Sequence, residues 1–474
     1  MRRTWLAVLL ATLGCSSGGA APAPKQAAPP QVVKPAKTEY HDPDHVRGPL
    51  PDAPARHLEL AKLRQALVTM YAHRLDKERR YKIDENAWLA NAERTLDAAK
   101  TWAEYDAAVY KVLGEFHDDH LAYHPPRTAA PARGYARFKL GLTTVLAGDH
   151  LLVSQVDEGS DVAKAGVVPG DEVTAIDGLD TPRVLARSLE RSVWSRPESA
   201  KVSFARQWSA VLMPLGDPPR VRKVRIVGRS NGAVHDITIT PREAPKVKRD
   251  IITTRDDHGI AIVTLLSMDG KAERAKAIDD GLVPARAARG IVLDLRGVRG
   301  GVDLVGYRVV AGLAEGKPSL GSFRILVSDD TIARRPRWKH LAGTAGADGF
   351  SPLQPLTVDG QPAGKGFHGP MVVLVDAGCA STCEVVAAAL RTNLHAILIG
   401  ETTAGSTGAP IEVALPIGSV SIPTWDLITS DGHSIESDGV VPDVIVIPTP
   451  ASLAAGEDLA LRTAIDRVRA TLPP

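Results

Sequence analysis

Hydrophobic positions along this chain follow different periods in successive stretches. Over residues 57–75, HLELAKLRQALVTMYAHRL, Leu60, Leu63, Leu67 and Met70 recur at three- and four-residue steps. That spacing predicts one apolar face of an amphipathic helix. Residues 85–116 repeat the pattern with Trp102, Tyr105, Val109, Val112 and Phe116, and Pro125 and Pro126 end it after FHDDHLAYH. A helical domain is therefore expected over 55–130. From 135 to 246 the period shortens to that of β-strands separated by glycine turns. Strands are predicted near RFKLGLTT, HLLVSQV, EVTAIDG, AKVSFAR and HDITITP, with a short helix and turn in DEGSDVAKAGVVPGDEV. From 247 to 474 apolar strands (GIAIVTLLS, GIVLDLRG, RILVSDD, MVVLVDA, AILIGE) alternate with helical stretches near 270–284, 302–314 and 383–394. Such alternation predicts an α/β layer with right-handed crossovers. The whole reads as a multi-domain α+β chain.

The N-terminus departs from these patterns. Arg2 and Arg3 precede a short apolar run, Trp5 to Leu13, too short to span a bilayer. Cys15 follows Thr12-Leu13-Gly14, which resembles a bacterial lipoprotein cleavage box with Cys15 as the lipidated residue. Residues 1–15 are thus expected to be a lipoprotein-type signal peptide. Residues 16–54, rich in Ala, Pro and Lys, are expected to be a disordered linker. The expected location is the bacterial cell envelope, lipid-anchored in the periplasm or at the cell surface. With 57 basic and 55 acidic residues the net charge is +2, which gives no support to a nucleic-acid partner. If Cys15 carries lipid, Cys379 and Cys383 remain as an even pair in an oxidising compartment.

The candidate chemistry centres on DAGCASTCEVVAAAL, Asp376 to Leu390. Ser381 lies after an apolar strand and at the start of a helix. Unpaired N–H groups and partial positive charge at a helix N-terminus favour an oxyanion beside it, through the N–H of Thr382. The same position also suits a helix cap without chemistry. In GIVLDLRGVRGG, Gly300 and Gly301 open the next helix, so that a Gly300 N–H is a candidate second donor; a plain strand-to-helix turn is the alternative. Cys379 and Cys383 stand four apart around Ser381. A disulfide between them is geometrically possible, and two small buried apolar residues are the alternative. His117, Asp118, Asp119, His120 and His124 cluster in sequence, but their spacing matches no specific zinc pattern, and no metal or organic cofactor is expected.

Two resemblances sharpen this reading. Leu140-Gly141-Leu142, Gly159-Ser160, Ala165-Gly166-Val167, Gly170-Asp171 and Ile176-Asp177-Gly178 resemble a PDZ domain over 135–246. Leu140, Gly141 and Leu142 would then be the loop that receives a peptide's terminal carboxylate. That segment, LDLRGVRGG, GCASTCE, GETTAGSTG and ESDGVVPD together resemble, in order, the C-terminal processing (tail-specific) and tricorn-like serine peptidases. The resemblance implies a crotonase-like α/β peptidase domain over 247–474 with Ser381 as nucleophile. Tail-specific members place a lysine base where this chain has Ser406. Tricorn-like members use a histidine from the N-terminal helical region and a late glutamate, which map to His120 and Glu436. Asp119 stands where tricorn has a serine, a candidate fourth member. The expected function is a cell-envelope serine endopeptidase acting on protein or peptide substrates, with their C-terminal tails as the candidate handle. A catalytically silent binding protein and a PDZ-based scaffold are the alternatives.

Overall fold

In a computed structural model of the chain, the described residues are 47–126, 135–190, 193–214, 221–244, 251–268, 270 and 272–472. The expected leader, Cys15 and residues 16–46 of the expected linker lie outside them.

Among the described residues, four helices lead into the rest of the fold: Ala53–Met70, Arg74–Tyr81, Glu85–Ala98 and Trp102–Gly114. The first begins two residues ahead of the expected start at 55, because Asp52 accepts a hydrogen bond from the Ala55 N–H and Pro54 suits the first turn. The long run from 85 to 116 is broken at Ala99–Thr101, where Thr101 caps a new helix through the Glu104 N–H. The apolar faces bury Leu60, Leu63, Leu67, Trp88, Leu96, Tyr105 and Val109. That core is shared with Val413, Val420 and Ile422 of a late hairpin, Ile411–Ala414 and Ser419–Ile422, to which Tyr123–His124 pairs. The helices and the C-terminal half thus close one core, and the FHDDH segment is fixed against that half.

An antiparallel sheet follows, with strands Leu142–Ala147, His150–Val156, Glu172–Ile176, Arg222–Val227 and Val234–Ile239 adjacent in that order. AKVSFAR is not a strand. It lies in a helix, Pro197–Gln207, which buries Ser199, Val202 and Ala205. Lys201-Val202-Ser203-Phe204 alternates like a strand, but Pro197 and Glu198 in the first turn are helix-start signals, and the buried positions recur every three residues. This helix leans on Leu142–Ala147: Trp208 Nε1 donates to Thr144 Oγ1 at 2.7 Å.

The third layer is a six-stranded sheet ordered Ile251–Arg255, Ile260–Leu265, Gly290–Asp294, Met371–Val375, Ile397–Gly400 and Val444–Ile445. All its pairs are parallel except the first. Every residue of Met371–Val375 is buried, because helices cover both faces of the strand. Helices Ala272–Arg286, Asp303–Leu313 and Thr382–Leu394 contribute to the cluster on one face, and Leu459–Thr471 covers the other. The expected strand at RILVSDD is displaced: the strand is Ser319–Ile325, and Ser328 caps a short helix after it. The register aligns Asp294 with Leu374 and Val375 with Gly400. The loops after these strands, 295–301, 376–381 and 401–407, therefore leave from the same edge, the C-terminal edge where open α/β sheets form their sites.

Candidate active site

Ser381 ends the loop after Met371–Val375 and precedes the helix Thr382–Leu394. Its backbone has φ 59° and ψ −126°, outside the regions open to most L-residues, at a cost of about 1–3 kcal/mol. Surrounding bonds hold it there. The Ser381 N–H donates to the Ser406 carbonyl at 2.8 Å and to Glu384 Oε2 at 3.0 Å. Glu384 is wholly buried and also accepts from the N–H groups of Gly405 and Ser406 and from Thr403 Oγ1. Burial pushes its carboxyl up to about 8 against the pull of these donors. Cys379 and Cys383 are joined in a disulfide across the turn.

The 295–301 loop packs on this turn. Gly300 has φ +76°, and a Cβ there would meet the Ala380 carbonyl oxygen at 2.6 Å and the Thr382 nitrogen at 2.9 Å. Only glycine permits that approach. Asp376 accepts from Gly297 N at 2.8 Å and Gly378 N at 3.0 Å, tying the two loops together. Arg206, from the helix Pro197–Gln207, pairs with the same carboxylate. Among the described residues no acceptor takes the Thr382 or Gly300 N–H, whereas the Ser381 N–H is already engaged.

His120 Nε2 lies 3.1 Å from Ser381 Oγ. Its other nitrogen, Nδ1, lies 2.5 Å from Ser406 Oγ and 3.3 Å from Asp119 Oδ1, and the Ser406 hydroxyl bonds that same Asp119 oxygen. One assignment satisfies every partner. Nδ1–H donates to Ser406, Ser406 O–H donates to Asp119, and Nε2 is left to accept from Ser381. Burial pulls the His120 imidazole down. The Asp119 hydrogen bond and the charges of Asp119, Asp118 and Glu436 outweigh it and raise the group to about 9. Asp119 is held below its ordinary value by His120 and Arg299 against burial.

Glu436 does not touch His120, and the direct orienting contact expected of it is made by Asp119 and Ser406. Its Oε1 accepts from Lys77 Nζ at 2.6 Å and Ser195 Oγ at 3.1 Å, and its Oε2 from Thr407 N at 2.9 Å. Ser195 Oγ in turn accepts the Asp119 N–H at 3.2 Å. Lys77 is fully buried; burial lowers it, but Glu436 and Asp118 raise it further, so it stays charged. His73 and Asp118 complete this network at 2.8 Å. The sequence reading missed Lys77, Ser195 and the contact role of Ser406. Glu384 was missed as well, although an acid three residues after a helix-start serine is a signal that could have found it.

The remaining candidates fall elsewhere. His124 bonds Ser421, and His117 packs between Tyr81 and Trp194, so the histidines of FHDDHLAYH do not converge. His73, Asp118 and Glu436 come within metal-ligand reach of one another, but the Lys77 ammonium already occupies their side. In the 140–142 loop the Leu140 N–H donates to the Ser209 carbonyl at 2.9 Å, so one amide expected to hold a peptide carboxylate is engaged. Gly141 keeps φ +83°, and its open side faces Ser160, which a Cβ would strike. Beside Asp119 lies a cleft of about 610 Å³, also lined by Trp194, Phe204, Trp208 and Arg299.

Residues 259–446 match peptidase family S41. Over 401 residues, 81% of this chain and 83% of the relative, the sequence is 25% identical to the carboxyl-terminal-processing protease of Picosynechococcus sp. (strain ATCC 27264 / PCC 7002 / PR-6). The fold is similar to that of mature CPAF, with a TM-score of 0.68 and 15% identity over 89% of this chain and 98% of that one. The photosystem II D1 C-terminal processing protease matches with a TM-score of 0.50 and 19% identity over 86% of this chain and 98% of that one.

Proposed function

We propose, on the premise that this chain is a serine-type peptidase whose residues 259–446 belong to peptidase family S41, that it is an endopeptidase working through Ser381 and His120 without a lysine base. The observation that carries this reading is His120 Nε2 at 3.1 Å from Ser381 Oγ, with Nδ1 engaged by Ser406 and Asp119. A serine hydroxyl needs such a base to become a nucleophile near neutral pH. Ser381 Oγ attacks the scissile carbonyl carbon and its proton passes to His120 Nε2. The oxyanion is received by the N–H groups of Thr382 and Gly300. His120 then gives its proton to the leaving amine, and a water activated by the same imidazole hydrolyses the acyl-enzyme. Asp119, through Ser406 and directly, fixes the tautomer and stabilises the imidazolium. Glu436 acts at one remove, through Ser195 and the Asp119 backbone.

The antiparallel sheet of 135–244 is read as a PDZ-like module for C-terminal tails. The strand Leu142–Ala147 at the sheet's edge supports this. The Leu140–Ser209 bond and the helix Pro197–Gln207 lie against that edge, so a tail would have to share it. The leader pattern and Cys15 in the sequence support a place in the cell envelope on a lipid anchor, tested by metabolic labelling with a fatty-acid analogue in wild type and Cys15→Ala. The catalytic reading is tested with peptides and unfolded proteins as substrates and products read by mass spectrometry. Cleavage by wild type that disappears in both Ser381→Ala and His120→Ala is the expected result. Cleavage that survives Ser381→Ala would overturn Ser381 as nucleophile, and its absence from folded wild type across a broad panel would overturn the reading in favour of a silent binding protein.

A further inference from the structure

We infer that the Cys379–Cys383 disulfide is a positioning device for the nucleophile, a covalent clasp that holds the Ser381 turn where its hydroxyl meets His120. The inference rests on the reading of Ser381 as nucleophile.

The bond joins the residue two before Ser381 to the residue two after it, with the Cα atoms 5.5 Å apart. Between them the backbone takes the φ 59°, ψ −126° conformation, which an L-residue leaves unless its surroundings over-determine it. Hydrogen bonds constrain Ser381 from one side, through Glu384 and the Ser406 carbonyl. Cys379 is fixed separately: its N–H donates to the Asp376 carbonyl and its own carbonyl accepts from Ala404 N, both at 2.9 Å. Cys383 sits in the first turn of the helix Thr382–Leu394. The disulfide therefore links the anchored loop to the helix start directly across the strained residue. A small displacement of a reacting hydroxyl is costly to rate, so a constraint at this point acts on catalysis.

Loop size argues for a local role. A crosslink stabilises a fold chiefly by restricting the unfolded chain, and that effect grows with the loop it closes. A separation of four residues is a poor choice for global stability. Access argues for a clasp that stays closed. Both side chains have 0% exposure and belong to the core that contains Leu295, Val298 and Val375. Thiol–disulfide exchange needs a thiolate to reach a sulfur, so a reductant attacks this bond only after local opening.

The test compares the full chain with the double variant Cys379→Ala/Cys383→Ala on one peptide substrate, reading kcat, KM and the thermal midpoint. The expected result is a kcat at least tenfold lower, an unchanged KM and a midpoint within a few degrees of wild type. A second arm covers a variant that fails to fold. Wild type is opened in mild denaturant with a dithiol, which supplies two electrons and two protons to give two thiols and leaves as its cyclic disulfide. The protein is then exchanged into native buffer. Activity should be low and return on reoxidation. Alkylation of oxidised, denatured wild type should modify neither Cys379 nor Cys383. Alkylation of both, or an unaltered kcat in the double variant or the reduced protein, would overturn the inference. Ser381→Ala runs alongside: cleavage that survives it sinks the nucleophile reading, a failure distinct from that of the clasp.

Discussion

Ser381, His120, Asp119 and Ser406 form a chain of hydrogen bonds that all point one way, and its charge balance makes a pH prediction. In the proposed mechanism His120 must be neutral to accept a proton, and its environment raises it to about 9. The rate of peptide cleavage, kcat/KM, should therefore climb with pH up to about 9. Asp119→Asn removes the strongest local anion. It should move that midpoint down toward 6.5, the ordinary value, and lower the maximal rate on the order of 10³-fold. A pH–rate profile of both proteins checks this. The sign for stability is the reverse. A raised histidine contributes stability that is complete below about pH 6.5 and is withdrawn as pH rises through 9, readable as a falling Tm. Gly300→Ala places a methyl against the Ala380 carbonyl and the Thr382 nitrogen. It should lower kcat/KM by about 100-fold while KM changes little, as steady-state kinetics would register.

At the scale of elements, the Ser381 turn is held by what meets it from other segments, and that divides what was legible from what was not. Ser381, Thr382 and Gly300 were legible because strand, glycine loop and helix start announce themselves locally. His120 was legible only through family resemblance, since nothing local distinguishes it from His117 or His124. Lys77 was invisible: RLDKERRY reads as a solvated surface helix, yet one lysine of it is buried beside Glu436 and Asp118. Removing one partner of a buried pair leaves the other charge uncompensated. Lys77→Met should therefore cost about 3–5 kcal/mol, measured by denaturant unfolding. The helix Pro197–Gln207 was misread as a strand because four alternating residues outweighed its start signals. That error hid Ser195 and Arg206, the residues that segment extends toward the site.

Across the whole molecule, the proposed base His120 arrives from the helical N-terminal region, the proposed nucleophile Ser381 from the loop after Met371–Val375, and Arg206 from the helix Pro197–Gln207. The FHDDH segment is held by a core that the helices share with the late hairpin, so the meeting of His120 with Ser381 depends on tertiary packing that no local pattern encodes. Arg206 pairs with Asp376, which binds both Gly297 and Gly378. Arg206→Ala should lower kcat severalfold and leave the helical and sheet cores folded, as judged by circular dichroism. The most direct test of the central claim is covalent labelling of the full chain with a fluorophosphonate, located by peptide mass mapping. The account predicts one adduct, on Ser381, formed at a rate that falls by at least two orders of magnitude in His120→Ala. A folded wild type that takes no label, labels another serine, or labels Ser381 equally fast without His120 would contradict it.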